Sequence, residues 1–275
     1  AEVVDAVHGE GGKIIPQLWH VGAFASVRSE WREGEPGVES PSGLQAPRHE
    51  RGHAMTDSDI QATLWAYEAA AQNAVELGFD GVEIHGAHGY LIDQFMWEQT
   101  NQRSDDFGGS EVASRMRFAT EVVSVVRRAV PPDFPVLFRF SQFKQQDYNA
   151  RLARTPAELE AMLHPLVDAG VSAFHASQRR FWDPEFGGSP LNLAGWAKKV
   201  SGLPSITVGS VGLSGDYISN RASGEVSEPS SFEQLIERLD NDEFDLVAVG
   251  RALLMDPCWV EKVRDGREDE LKPFD

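Results

Sequence analysis

His85, His88 and Tyr90 lie within six residues, directly after an apolar run, Gly81–Ile84, that reads as a buried strand. Two imidazoles three positions apart can do either of two things. They can bind a metal, but this requires a third ligand at recognisable spacing, and the chain has no H-E-x-x-H and no cysteine nearby. Alternatively, both can donate N–H groups to one carbonyl oxygen and stabilise the negative charge that develops there, an effect typically worth about 10²–10³ in rate per donor. A phenol five residues on is a poor acid toward water but an adequate one toward a carbanion-like carbon. The bland alternative is a pair of satisfied polar groups beside the core, with Tyr90 packed under a helix over Leu91–Trp97.

Other polar residues stand out against apolar surroundings. Gln17 lies in the strand-like IIPQLWH, where a buried amide needs partners because leaving it unpaired costs about 1–3 kcal/mol. Arg139 interrupts VLFRFS, and a guanidinium there must be ion-paired or functional. Gly209, Ser210 and Gly212 follow the strand-like SITV, and Gly250-Arg251 follows DLVAV. Glycines allowing close approach, backbone amides at a helix start and an arginine are what a phosphate site between the last two strands of an α/β barrel requires. No G-x-G-x-x-G opens a strand–helix unit, which argues against a dinucleotide fold. Arg179 and Arg180, neighbours in a loop, read as solvated.

The elements that position these residues follow from the hydrophobic pattern. Six short runs read as strands: Lys13–Trp19, Gly81–His85, Val136–Ser141, Ser172–Ser177, Ser205–Gly209 and Asp245–Gly250. Helical periodicity separates them over Ser58–Leu77, Glu111–Ala129, Thr155–Gly170, Ser230–Leu239 and Trp259–Arg264, with Thr155-Pro156 as a cap and first turn. Near-continuously apolar strands alternating with helices indicate a parallel sheet covered by helices. The chain opens on a helix, Ala1–His8, and an eight-stranded barrel requires two more strand units than are visible. The expectation is one barrel domain over residues 1–275 that lacks about its first two β/α units. An open six-stranded domain, complete as it stands, is the alternative. Two excursions, Phe24–Asp57 and Leu213–Ser230, read as long loops.

Composition sets limits. The 275 residues are enough for one barrel, since such domains commonly have about 250. The lone Cys258 excludes an intrachain disulfide and any Cys-ligated cluster built from this chain alone. A net charge of −18 argues against nucleic acid and anionic membrane surfaces as partners. No apolar segment approaches the ~20 residues needed to span a bilayer, and a cytoplasmic location is expected.

The segment VEIHGAHGYLIDQFMWEQTNQRSDDFGGS closely resembles the Old Yellow Enzyme family of flavin-dependent ene-reductases. Its His-x-x-His-x-Tyr matches the family's pattern after the fourth barrel strand, and Asn101, Arg103, Asp105, Gly108, Gly109 and Ser110 match the run that follows. RFSQFKQQDY, FHASQRRFW and LNLAGWAKK are similar to one bacterial branch. The resemblance implies an α/β, (β/α)8 TIM-barrel fold and an FMN oxidoreductase that uses NAD(P)H to reduce the C=C bond of α,β-unsaturated carbonyls. It further implies that His85 and His88 hold the substrate carbonyl and that Tyr90 is the proton donor. Gln17 would lie at the flavin's pyrimidine edge, Arg139 at N1 and the C2 carbonyl, and Gly209, Ser210, Gly250 and Arg251 at the FMN phosphate. The partner is then a small-molecule enone or related compound, with homo-oligomerisation left open. Dienoyl-CoA reductase or amine dehydrogenase barrels, and a flavin-free phosphate-binding lyase or isomerase, remain as alternatives.

Overall fold

The structure is a computed structural model that describes residues 1–24 and 38–274. It divides into two compact units, Ala1–Phe174 and His175–Asp275.

In the first unit, β1 (Gln17–Leu18), β2 (Val82–His88) and β3 (Val136–Lys144) run parallel, with Gln17 opposite Glu83 and His85 opposite Arg139. Val82, Ile84, Val136, Phe138 and Phe140 are fully buried. The residues between them, Glu83, His85 and Arg139, together with Gln17, take the other face, because successive side chains in a strand point to opposite sides. At Gly86 an added Cβ would lie 2.3 Å from the Phe138 ring, so only glycine allows that ring to pack across β2.

Helix α1 (Glu2–Gly9) opens the chain and the short α3 (Leu91–Met96) follows β2; α2 (Asp57–Glu76) and α5 (Arg117–Ala129) bury their apolar stripes, the latter through Phe118, Val122 and Val126. A capping box holds the start of α2: the Thr56 hydroxyl accepts from Asp59 N–H, and the Asp59 carboxylate accepts from Thr56 N–H. α6 (Pro156–Asp168) starts on Thr155 as expected. The single helix expected over Glu111–Ala129 is instead α4 (Val112–Arg115) and α5, parted at Met116, whose N–H bonds back to Ala113.

Strand limits differ from the hydrophobic pattern in a physical way. β1 is shorter than Lys13–Trp19 because Pro16 has no N–H to place in a ladder. β2 and β3 run on past their apolar stretches to His88 and Lys144, with a register shift between Gly86 and His88. The excursion after Phe24 is not irregular throughout. Glu39–Ser40 pairs with His53–Ala54, and Leu44–Ala46 forms a hairpin with His49–Glu50. Its residues 25–37 lie outside the described residues.

β4 (Ala173–Ser177) carries the chain into the second unit, where β5 (Ser205–Val208) and β6 (Leu246–Val247) pair in parallel. α7 (Leu193–Ser201) has no counterpart among the expected helices. Asn192 caps it through Gly195 N–H, and Gly202, at φ 70°, ends it. The segment Leu213–Ser230, expected as a loop, contains a helix, α8 (Tyr217–Ser223). α9 (Glu233–Asp240), α10 (Arg251–Met255) and α11 (Trp259–Arg264) complete this unit. Among the described residues, no helix is long and apolar enough to cross a membrane.

Candidate active site

In the first unit the end of β2 brings the expected catalytic side chains together. The His85 and His88 rings are 5.3 Å apart, and His85 and Tyr90 5.4 Å apart, centroid to centroid. Trp19 stands edge-on to Tyr90 at 4.9 Å and Phe24 at 5.2 Å, while Phe143 stacks on His88. His85 is buried; His88 and Tyr90 are half-buried. Three polar rings walled by aromatic faces form a site suited to a flat, partly polar ligand.

The backbone here is unusual. His88 has φ 64° and Gly89 φ 84°, two left-handed residues in succession. A non-glycine residue in that region costs roughly 1 kcal/mol or more and must be held. His88 N–H donates to Ser141 Oγ at 3.0 Å, and Gly89 N–H donates to Asp93 Oδ2 at 2.6 Å. Gln94 donates to the Gly89 carbonyl at 2.8 Å. Asp93 in turn meets Lys144 Nζ at 2.6 Å, with neither side chain exposed.

On the polar face of the sheet, Gln17 Nε2 donates to Glu83 Oε1 at 2.5 Å. Contrary to the expectation of a buried amide, Gln17 is exposed, and its partner Glu83 is buried. Arg139 sits beside His85 with its Nε buried and without a hydrogen-bond partner among the described residues. Burial pulls its guanidinium below its ordinary pKa, and Glu83 acts in the opposite sense. A buried donor awaiting an acceptor is what an anionic ring edge would satisfy.

The second unit gathers the expected phosphate residues. Arg251 Nη2 donates to Ser210 Oγ at 3.2 Å and to the Gly215 carbonyl at 3.0 Å, and Nη1 donates to Ser227 Oγ. A Cβ at Gly209 would lie 2.6 Å from the Gln178 carbonyl, whereas one at Gly250 would meet open space. The Ser210 hydroxyl lies 3.0 Å from the carbonyl oxygens of Arg179 and Gly215, which leaves Arg251 as the charged member of this group. Arg179 and Arg180 are not simply solvated: both bind the buried Asp216, at 3.0 and 2.7 Å. Among the described residues one trio, Glu39, His53 and Asp59, brings metal-ligand atoms within 4.8 Å of one another. Its Asp59 carboxylate is already engaged by Thr56.

Residues 1–270 match the family model described as NADH:flavin oxidoreductase / NADH oxidase family. The chain belongs to this family. It is 33% identical over 288 residues to an NADH oxidase of Thermoanaerobacter brockii, covering 98% of this chain and 39% of that protein. An NADPH dehydrogenase of Clostridium acetobutylicum is 31% identical, covering 99% and 74%. The 12-oxophytodienoate reductase 2 of Arabidopsis thaliana is 41% identical, covering 65% and 49%. The chain thus spans less than half the length of two of these three relatives. The solved structure of morphinone reductase in complex with tetrahydroNAD superposes with a TM-score of 0.75 at 26% identity, covering 98% of this chain and 70% of that one. The Old Yellow Enzyme resemblance therefore holds, and the fold class is the α/β barrel of that family.

The family's second sequence run proves architectural. Asn101 Nδ2 donates to the Phe95 and Phe107 carbonyls, and Arg103 forks onto Asp105 while its Nη1 reaches the carbonyls of Pro41 and Met55. Gly108 has no room for a Cβ beside the Arg103 carbonyl. Several supporting residues are not marked in the sequence. Asp93 alone carried a mark, a charge between Leu91-Ile92 and Phe95-Met96; Lys144, set among Gln142, Gln145 and Gln146, carried none, nor did Gln145, Ser141 and Phe143.

Proposed function

We propose that the protein is an FMN-dependent oxidoreductase that reduces the C=C bond of α,β-unsaturated carbonyl compounds with electrons from NAD(P)H. The observation that carries this reading is the cluster of His85, His88 and Tyr90 at the end of β2, with Arg139 in register beside it. Bound FMN supplies hydride chemistry fed by NAD(P)H. The two imidazoles donate to the substrate carbonyl oxygen, drawing electron density from the conjugated double bond and stabilising the enolate-like charge. The Tyr90 hydroxyl then gives its proton to the α-carbon. Arg139, with its unsatisfied buried Nε, and Gln17 would hold the ring; Gly209, Ser210, Gly250 and Arg251 would hold the phosphate. This reading treats residues 1–275 as one FMN-binding barrel domain, and a cytoplasmic location suits a pyridine-nucleotide reductant.

The test is to purify the protein, denature it and identify the released flavin by chromatography, then assay NADPH oxidation with cyclohexenone. FMN and enone-dependent turnover are expected; FAD, a covalent flavin or no turnover overturns the reading. A second reading, a barrel within a longer flavoenzyme of the dienoyl-CoA reductase or amine dehydrogenase type, draws support from the 39% coverage of the NADH oxidase. Iron analysis of the protein separates the two.

A further inference from the structure

We propose that Lys144 and Asp93 form a buried clamp that fixes the Gly89 peptide and thereby aims the two side chains flanking it, His88 and Tyr90. The inference rests on the function proposed above for what those side chains do, but the clamp itself stands on geometry.

Lys144 is the last residue of β3 and the register partner of His88. Its Nζ lies 2.6 Å from Asp93 Oδ1, and both side chains are wholly buried. The other carboxylate oxygen of Asp93 accepts the Gly89 N–H at 2.6 Å. Gly89 is left-handed directly after a left-handed His88, and a side chain on it would run into Gln146 Oε1 at 2.0 Å, so the Gln146 amide packs against its bare Cα. The Gly89 carbonyl is held as well, by Gln94 Nε2 at 2.8 Å and Gln146 Nε2 at 3.2 Å. Both backbone polar groups of Gly89, one in the peptide linkage to His88 and the other in the linkage to Tyr90, are therefore held by side chains, midway between the two reacting residues.

Stability is a poor explanation for such a pair. Removing two ions from water costs about as much as their attraction returns, and well-packed apolar residues commonly serve as well. Burial pushes Asp93 up and Lys144 down from their ordinary pKa values, so each ion depends on the other. What an apolar pair cannot provide is an acceptor for Gly89 N–H. Lys144 and Asp93 are thus positioning residues, acting on the reaction through His88 and Tyr90.

Two neutral double variants isolate that acceptor in the flavin-loaded protein. Asp93→Asn with Lys144→Met removes both charges and keeps an oxygen for Gly89; Asp93→Leu with Lys144→Met removes both charges and the oxygen. Two readouts apply: hydrogen exchange of the Gly89 amide, and the dissociation constant of p-cresol as a probe of the histidines. The Leu/Met variant should exchange Gly89 about tenfold faster and bind p-cresol about tenfold more weakly than the Asn/Met variant, the loss of one buried hydrogen bond. Should the Leu/Met protein fold poorly, Asp93→Ala with Lys144→Met gives the same contrast. Equal Gly89 protection in the neutral pairs with and without the oxygen overturns the clamp. If enone turnover is absent but the exchange contrast is present, the proposed function fails and the clamp stands.

Discussion

The Gln145 side-chain amide donates to the Tyr90 hydroxyl oxygen across 2.9 Å. That bond occupies a lone pair of the phenol oxygen and leaves its proton to be given elsewhere. It also strengthens as the oxygen gains charge during proton transfer, since hydrogen bonds to ions are worth more than neutral ones. Gln145→Leu should therefore slow enone reduction, by about tenfold given the exposure of the amide, while leaving reduction by NADPH near its normal rate. Stopped-flow measurement of both half-reactions checks this; equal slowing of the two would mean the residue only shapes the loop.

Tyr90→Phe makes a sharper cut. The variant should bind flavin, accept electrons from NADPH and bind phenols, because none of these steps needs the hydroxyl proton. Reduction of cyclohexenone should fall by about 10²-fold or more, the usual worth of a positioned acid. Quinones, which need no carbon protonation, should be reduced almost as before. An unchanged enone rate would assign the proton to another group.

Arg139→Met tests the proposal that Arg139 is the cation beside the flavin. A guanidinium favours a reduced, anionic ring over an oxidised neutral one, so its loss should lower the flavin midpoint potential by on the order of 30–60 mV. Redox titration reads the shift directly, and an unchanged or raised potential would place Arg139 away from the ring.

Gly86→Ala should destabilise the protein without altering any polar contact of the site. The new methyl would meet the Phe138 ring at 2.3 Å in a core with no space to give. The cost should be about 1–3 kcal/mol, the usual price of overpacking, visible as a lower denaturation midpoint.

Asp216 should contribute to acid stability. Burial alone would raise its pKa, but the Ser219 N–H and hydroxyl, together with Arg179, outweigh that and hold it at about 2. A depressed folded-state pKa contributes stability at pH values above the unfolded value, lost as pH falls from about 4 to about 2. The contribution should be about 2 kcal/mol. Denaturant midpoints of wild type and Asp216→Asn should converge over that interval; a gap that stays constant with pH would point to lost hydrogen bonds alone.

Much of the site was legible because strand ends leave plain marks. His85, His88 and Tyr90 follow an apolar run, and Arg139 interrupts another, so pattern and chemistry coincide. What supports them was not legible. The contact of Lys144 with Asp93 joins residues 51 positions apart in sequence, and only the pairing of β2 with β3 brings them together. Arg179 and Arg180 looked like solvated loop residues because their partner, Asp216, lies in a segment read as a loop. α7, by contrast, was legible: Leu193, Trp196, Ala197 and Val200 recur at helical spacing, and Asn192 and Gly202 mark its ends, so only its shortness hides it among the loops.

The Arg103 guanidinium, which touches the carbonyls of both Pro41 and Met55, draws the excursion between them into a lariat closed at its neck. Contour length inside a closed loop is thermodynamically cheap: each doubling adds only about 0.6 kcal/mol of closure entropy. The interior of that lariat holds the hairpin of Leu44–Ala46 with His49–Glu50, so descendants of this sequence can gain or lose residues at its Pro47-Arg48 turn while the neck stays put.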